Sequence, residues 1–312
     1  MLDKTLFYFC VLFGVILLVY SYQLNITDRV SYIQTVEFFP TFLGNRIITR
    51  GFLFTIFNDP LWVIIMGIGY FSKLDPEIYI IVICCISYVV ALKSIYKSVD
   101  VFYKFVPIIL SASFLINFVT HIRQGIALSL LCYSLYFGLI PRIKKPILFW
   151  LSPLIHNSFF LVTFYFYFDK FIKKNGRISK IRTFSILVIV TTVIILIISF
   201  GRQDYLNNLT VNSNVGFGLF YWLAIFLLVL FGNLQKSKLG LSKELFFILF
   251  YMIFYFISPL IAGRLMEVFI IFIFIWLNSK VSSKLFFLLT LSYFILSWVS
   301  RYTSNYYGFA AY

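Results

Sequence analysis

Long apolar runs alternate with short polar tracts along the whole chain, and the runs predict helices of membrane-crossing length. The first run covers residues 5–22 and follows Lys4. No signal-peptide cleavage pattern follows it, so it is expected to stay as a helix. A polar segment at 23–50 carries Asp28, Arg29, Tyr32, Glu37, Arg46 and Arg50. The run at 51–74 is interrupted by Asn58-Asp59-Pro60, where Asp59 reads as an N-cap and Pro60 as the first helical residue. A helix from Pro60 to Phe71 rises about 18 Å, short of a ~30 Å hydrocarbon core. A half-helix or re-entrant element is therefore expected there. Asp75-Pro76 repeats the start signal for a span at 77–91.

A lysine-containing loop at 93–104 precedes a span at 105–119. The next polar interruption holds His121, Arg123 and Gln124 at the mouth of a span that ends near 140. Ala127, three residues after Gln124, would let backbone or ligand approach closely. A basic tract at 141–145 leads to an apolar segment at 146–168 with Pro153, His156 and Asn157 at its centre. Residues 170–182 are the most basic stretch. Further spans are expected at 183–200, 218–232, 245–262, 265–277 and 285–299, with a polar loop at 201–216 that carries Arg202. The pattern predicts an all-α, polytopic integral membrane protein of about 9–11 transmembrane helices, with re-entrant or half-helix segments near 51–74 and 146–168. Residues 1–312 are expected to form a single membrane-embedded domain.

Composition agrees. The chain is 62% hydrophobic and 12% charged, where soluble domains carry about 25% charged residues. No water-soluble core could hide that much apolar surface. The net charge of +15 invites a nucleic-acid partner, but its placement argues against one. The tracts 93–104, 141–145, 170–182, 236–243 and 280–284 hold 17 of the 26 Lys and Arg, which is the positive-inside pattern of cytoplasmic loops. With these tracts inside, 146–168 is expected to dip in and return as two half-helices that meet near Pro153–Asn157; the alternative, one straight span, puts one of the two basic tracts on the outer side. The cysteines Cys10, Cys84, Cys85 and Cys132 lie within apolar runs and read as small core residues. With only two histidines and no nearby Cys or acidic cluster, a structural zinc site is not expected.

The outward basic residues are then Arg29, Arg46, Arg50, Lys73, Arg123, Arg202, Arg264 and Arg301. All but one are arginine, whereas the inward set is mostly lysine. Arginine is favoured where phosphate or carboxylate is held in bidentate fashion, so an anionic ligand on the outer face is expected. Arg123 and Arg264 are the strongest candidates because each opens a predicted span. Glu267 lies three residues after Arg264 and can orient it. No phosphate-binding loop, dinucleotide fingerprint or nucleophile elbow is present. An outward site also has no access to ATP or sugar nucleotides, so its donor must arrive activated and carried by lipid.

Several short motifs resemble one family. Ile122-Arg123-Gln124-Gly125-Ile126-Ala127 is similar to the Arg-Gln-x-x-Ala motif of the EpsG-like, Wzy-type polysaccharide polymerases. Leu154-Ile155-His156-Asn157-Ser158 resembles their His-x-Ser motif, and Arg264-Leu265-Met266-Glu267 their late Arg motif. Asp28-Arg29-Val30-Ser31-Tyr32 is similar to their Asp-x-x-x-Tyr element, and Asn58-Asp59-Pro60 to their acidic-Pro element, with Asp in place of Glu.

The resemblance implies a bacterial inner (plasma) membrane enzyme that joins oligosaccharide repeat units of O-antigen or capsule on the outer face. Both donor and acceptor would be carried on undecaprenyl pyrophosphate, with a chain-length regulator protein as a further partner. Arg123 and Arg264 would clamp the leaving pyrophosphate, helped by Gln124. His156 is the leading base, with Asp28 and Asp59 as rivals. Tyr32, His121, Arg29, Glu267 and Arg202 would line the substrate site. Arginines can take the role that a divalent metal plays in many glycosyltransferases, so neither metal nor cofactor is expected. A transporter or flippase for the same lipid-linked oligosaccharide would use the same arginines without making bonds. A membrane acyltransferase is disfavoured because its His-x-x-x-Asp pattern is missing.

Overall fold

A computed structural model describes residues 2–21, 27–52, 59–137, 146–156, 159, 163, 217–234, 248, 251–252, 255, 259–278 and 281–303. Every regular element among these residues is helical. They fall into two compact units, Met1–Phe159 with Glu267–Tyr312, and Phe160–Met266. In the first unit the helices are α1 (Leu2–Tyr20), α2 (Thr27–Glu37), α3 (Phe39–Arg50), α4 (Pro60–Ser72) and α5 (Pro76–Ser98). These are followed by α6 (Val106–Ile109), α7 (Ala112–Val119), α8 (Ile122–Cys132) and α9 (Pro146–Ile155). In the second unit α10 covers Phe217–Leu234. Helix α11 (Pro259–Asn278) enters the first unit at Glu267, and α12 (Ser283–Thr303) completes it.

Helix α5 is the centre of the first unit. Its buried residues Ile80, Cys84, Tyr88, Ala91 and Ile95 recur at helical spacing, and α1, α2, α7 and α8 pack around it. Helix α1 buries only Cys10, Gly14 and Leu18, the first two of them small. The Tyr88 ring lies on Gly14, where a Cβ would collide with it, and its hydroxyl donates to the Cys10 carbonyl at 3.0 Å. Small residues at such a seam let backbones approach closely, as packing between helices in lipid requires. The rest of α1 exposes Phe9, Leu12, Phe13, Ile16 and Val19, and α12 exposes Leu288, Leu291 and Ile295. Apolar stripes on separate helices suit a surface turned to lipid. Helices α1 and α5 are each long and apolar enough to cross a bilayer, and the bent pair ending in α7 makes a third span if it counts as one.

That bent pair is the main departure from the expected helices. Residues 105–119 read as one span, but Phe102–Ile109 and Ala112–Val119 meet at 65°. Ser111 leaves helical geometry, and its hydroxyl accepts from the Phe114 N–H to cap α7. The backbone groups freed at the break are taken by α12. The Trp298 indole donates to the Leu110 carbonyl at 3.1 Å, and the Ala112 N–H donates to Ser297 Oγ at 3.2 Å. A neighbouring helix thus satisfies the broken backbone that lipid could not.

Three smaller differences follow from charge or polarity that did not stop a helix. Segments 27–37 and 39–50, read as polar loop, are helices α2 and α3. Helix α5 runs through Lys93 to Ser98 rather than ending at Ala91. Helix α11 starts at Pro259, a favoured first residue, so Gly263-Arg264 lies within a helix rather than in a loop that opens one. Helix α9 ends at Ile155, where the return of the 146–168 segment is expected to begin, but its second arm lies outside the described residues.

Candidate functional site

The site grows from the junction of α7 and α8. Helix α7 is buried along its whole length and ends at Val119. Only Thr120 and His121 separate it from α8. So tight a reversal needs close contact between the two helices, and Gly125 provides it: a Cβ there would run into the Asn117 carbonyl and the Phe118 ring. Asn117 fixes the corner, donating to the Ser113 carbonyl at 3.0 Å and reaching the Glu267 carbonyl on α11 at 3.5 Å. The open end of α8 therefore points His121 and Arg123 toward α2, α4 and α11.

Arg123 is held from two sides. Its Nη1 donates to Asp59 Oδ2 at 2.8 Å, and its Nε donates to the Tyr32 hydroxyl at 3.3 Å. The guanidinium carbon also lies 5.8 Å from the centre of the Tyr32 ring, within cation–π range. Tyr32 is braced in turn by an edge-on contact with Trp62 of α4, centroids 5.0 Å apart. Burial raises the Tyr32 hydroxyl above its ordinary pKa, and the Arg123 charge offsets only part of that shift. The phenol thus stays protonated at neutral pH. It can accept from Arg123 and still donate its own proton outward.

Asp59 was expected to cap α4 and does not. It sits in the left-handed region at φ 55°, ψ 53°, with no side-chain bond to the first turn. Its carboxylate, 4% exposed, turns to Arg123, 64 residues along the chain. The Pro60 ring disfavours right-handed helical geometry at the preceding residue, and Asp tolerates the left-handed region better than most residues. Backbone in this region costs on the order of 1 kcal/mol and concentrates at functional sites.

On the other side of Arg123, His121 stands between two carboxylates. Its Nδ1 is 3.5 Å from Asp28 Oδ2 and its Nε2 is 4.0 Å from Glu267 Oε2. Asp28 is 47% exposed and Glu267 only 9%. Asp28 and Tyr32 are four residues apart and so share a face of α2, which lets one helix reach both halves of the site. Arg29 lies beneath them and is buried. Its Nη2 donates to the Val119 carbonyl at 2.7 Å and to Ser21 Oγ at 2.9 Å. It thus satisfies the last carbonyl of α7, an end that would otherwise lack a partner. Expected as a ligand contact, Arg29 has its described bonds within the protein instead. Gln124 is also buried, 2% exposed.

The structure therefore gathers Asp28, Tyr32, Asp59, His121, Arg123 and Glu267 from α2, α4, α8 and α11. His156 follows the end of α9, which packs against α8 and α4. Its N–H donates to the Ser152 carbonyl at 3.1 Å, its carbonyl accepts from Phe159, and its ring meets Phe159 edge-on at 6.2 Å. Arg264 lies on α11 with its side chain outside the described residues, and Arg202 lies outside them altogether. The contact between His121 and Glu267 had no sequence signal, since the two are 146 positions apart and Glu267 reads as the partner of Arg264. Among the described residues no three His, Cys, Asp or Glu side chains gather as a metal site would require.

Residues 5–312 match the EpsG family, nearly the full chain. Searches of curated proteins and of solved structures give no match. The chain thus belongs to the EpsG family, a membership that suggests a polysaccharide-polymerase-type, glycosyltransferase-like function in the membrane.

Proposed function

We propose that this protein is a bacterial inner-membrane polymerase of O-antigen or capsular polysaccharide. It joins oligosaccharide repeat units carried on undecaprenyl pyrophosphate, at the outer face of a multi-pass bundle of about 9–11 spans. A hydroxyl of one unit attacks the anomeric carbon that links the growing chain to its lipid diphosphate. The new glycosidic bond forms, and the diphosphate leaves with the electron pair of the broken bond. The observation that carries this reading is the setting of Arg123. It is fixed at the mouth of α8 by Asp59 and Tyr32, yet 24% of its side chain remains exposed. Two of its nitrogens are engaged by these partners, while Nη2 makes no hydrogen bond to the described residues. A guanidinium prepositioned in this way can meet the charge that develops on a leaving diphosphate without reorganising during the reaction. Arg264 would supply the second cation. In this reading arginine neutralises the charge, so no metal is required.

The same arginines would suit a transporter of the lipid-linked oligosaccharide, and one experiment separates the two. Purified full-length protein is mixed in detergent with lipid-linked repeat units from a strain that lacks this gene. Polymer forming without a second compartment identifies an enzyme. Units that stay single while binding to the protein identify a carrier.

A further inference from the structure

We propose that His121 takes the proton from the attacking sugar hydroxyl, and that Glu267 is the residue that positions its ring. This rests on the polymerase reading and changes its base from His156. Each ring nitrogen of His121 faces a carboxylate, Nδ1 toward Asp28 at 3.5 Å and Nε2 toward Glu267 at 4.0 Å. Both distances exceed a direct hydrogen bond, and contacts of this kind often tighten only when substrate binds. The two carboxylates differ in access. Glu267 is nearly closed off, whereas about half of Asp28 is exposed. An incoming sugar therefore reaches the ring from the Asp28 side. The buried Glu267 holds the proton on Nε2, which leaves the Nδ1 lone pair for the acceptor hydroxyl. Asp28 can bind a neighbouring hydroxyl of the same sugar. This is the logic of nucleophile, base and orienting acid, recognised by roles rather than by residue order.

Placement supports the assignment. His121 and Arg123 stand two residues apart at the mouth of one helix, fixed by the Gly125 contact and the Asn117 corner. Base and diphosphate cation are thus held on a single rigid element, as in-line transfer between two bound substrates requires. The step balances. The hydroxyl proton moves to Nδ1, its oxygen bonds to the anomeric carbon, and the lipid diphosphate departs and later receives the proton.

The test uses full-length protein and the same lipid-linked units. His121→Ala is expected to lose at least about a hundredfold in initial rate, the usual scale of general-base loss. Added imidazole is expected to restore at least about tenfold of it by standing in as the proton acceptor. Glu267→Gln is expected to lower kcat about tenfold with the KM for the lipid-linked unit unchanged, and Glu267→Asp to recover part of the loss. A His121→Ala protein within about threefold of wild type overturns the proposal. So does an inactive His121→Ala protein that accumulates normally and ignores imidazole. If His121→Ala does not accumulate in membranes, Glu267→Gln decides, and an unchanged kcat overturns the proposal. Wild-type protein that forms no polymer defeats the polymerase reading itself. An active His121→Ala beside an active wild type defeats only the base assignment.

Discussion

The chain uses the same start signal twice, Asp59-Pro60 and Asp75-Pro76, with opposite outcomes. Asp75 caps α5, accepting from the Glu77 and Ile78 N–H groups at 2.9 and 3.1 Å, and is exposed. Asp59 is buried, makes no cap to α4, and binds Arg123 at 2.8 Å. The Asp-Pro pair is the same at both places, and what sets Asp59 apart is the guanidinium that lies across the fold from it. An exposed Asp has only its own helix end to serve. A buried Asp beside a guanidinium gains a charge-assisted bond that a cap cannot match. The helix that forgoes its cap therefore marks where the fold needs a carboxylate for something else.

Substitutions at and around the two aspartates test that contrast, and the largest effect is expected at Arg123, the distant residue that Asp59 binds. Arg123→Ala should lose about a hundredfold or more in polymer formation, the scale of removing a preorganised charge from a transition state. Asp59→Asn removes the charge and keeps the shape. It should cost about tenfold, since a charge-assisted bond is worth about 1.5 kcal/mol. Initial rates on lipid-linked units check both. Tyr32→Phe removes one neutral acceptor of Arg123 and keeps the Trp62 contact, so about a threefold loss is expected by the same assay. Asp75→Ala should leave the rate unchanged and lower stability by about 1 kcal/mol, seen in a thermal melt of the detergent-solubilised protein. Equal losses from Asp59→Asn and Asp75→Ala would break the comparison.

The same contrast explains how much could be read in advance. Helices α1, α4 and α5 were legible because apolar periodicity and Asp-Pro starts are local. The grouping of Asp28, Tyr32, Asp59 and Arg123 was legible only as a set of motifs, since Asp28 and Tyr32 share one helix while Asp59 and Arg123 each stand far along the chain from it. What escaped depended on distant partners. The break at Ser111 stands in an apolar run with no local mark strong enough to end it, and it is stabilised by Ser297 and Trp298. Arg29 reads as one more outward arginine until the Val119 carbonyl, 90 residues away, claims it. Glu267 reads as the neighbour of Arg264 because that pairing is close in sequence, while His121 reaches it only through the fold.

The central claim is that Arg123 serves polymer formation while Asp75, with the same local sequence signal as Asp59, does not. Polysaccharide chain lengths, resolved on a gel from cells that carry each variant in place of the wild-type gene, test it most directly. The expected result is lipid capped by a single repeat unit in Arg123→Ala cells, with long chains lost, beside a normal ladder in Asp75→Ala cells. A normal ladder in Arg123→Ala cells would contradict the claim.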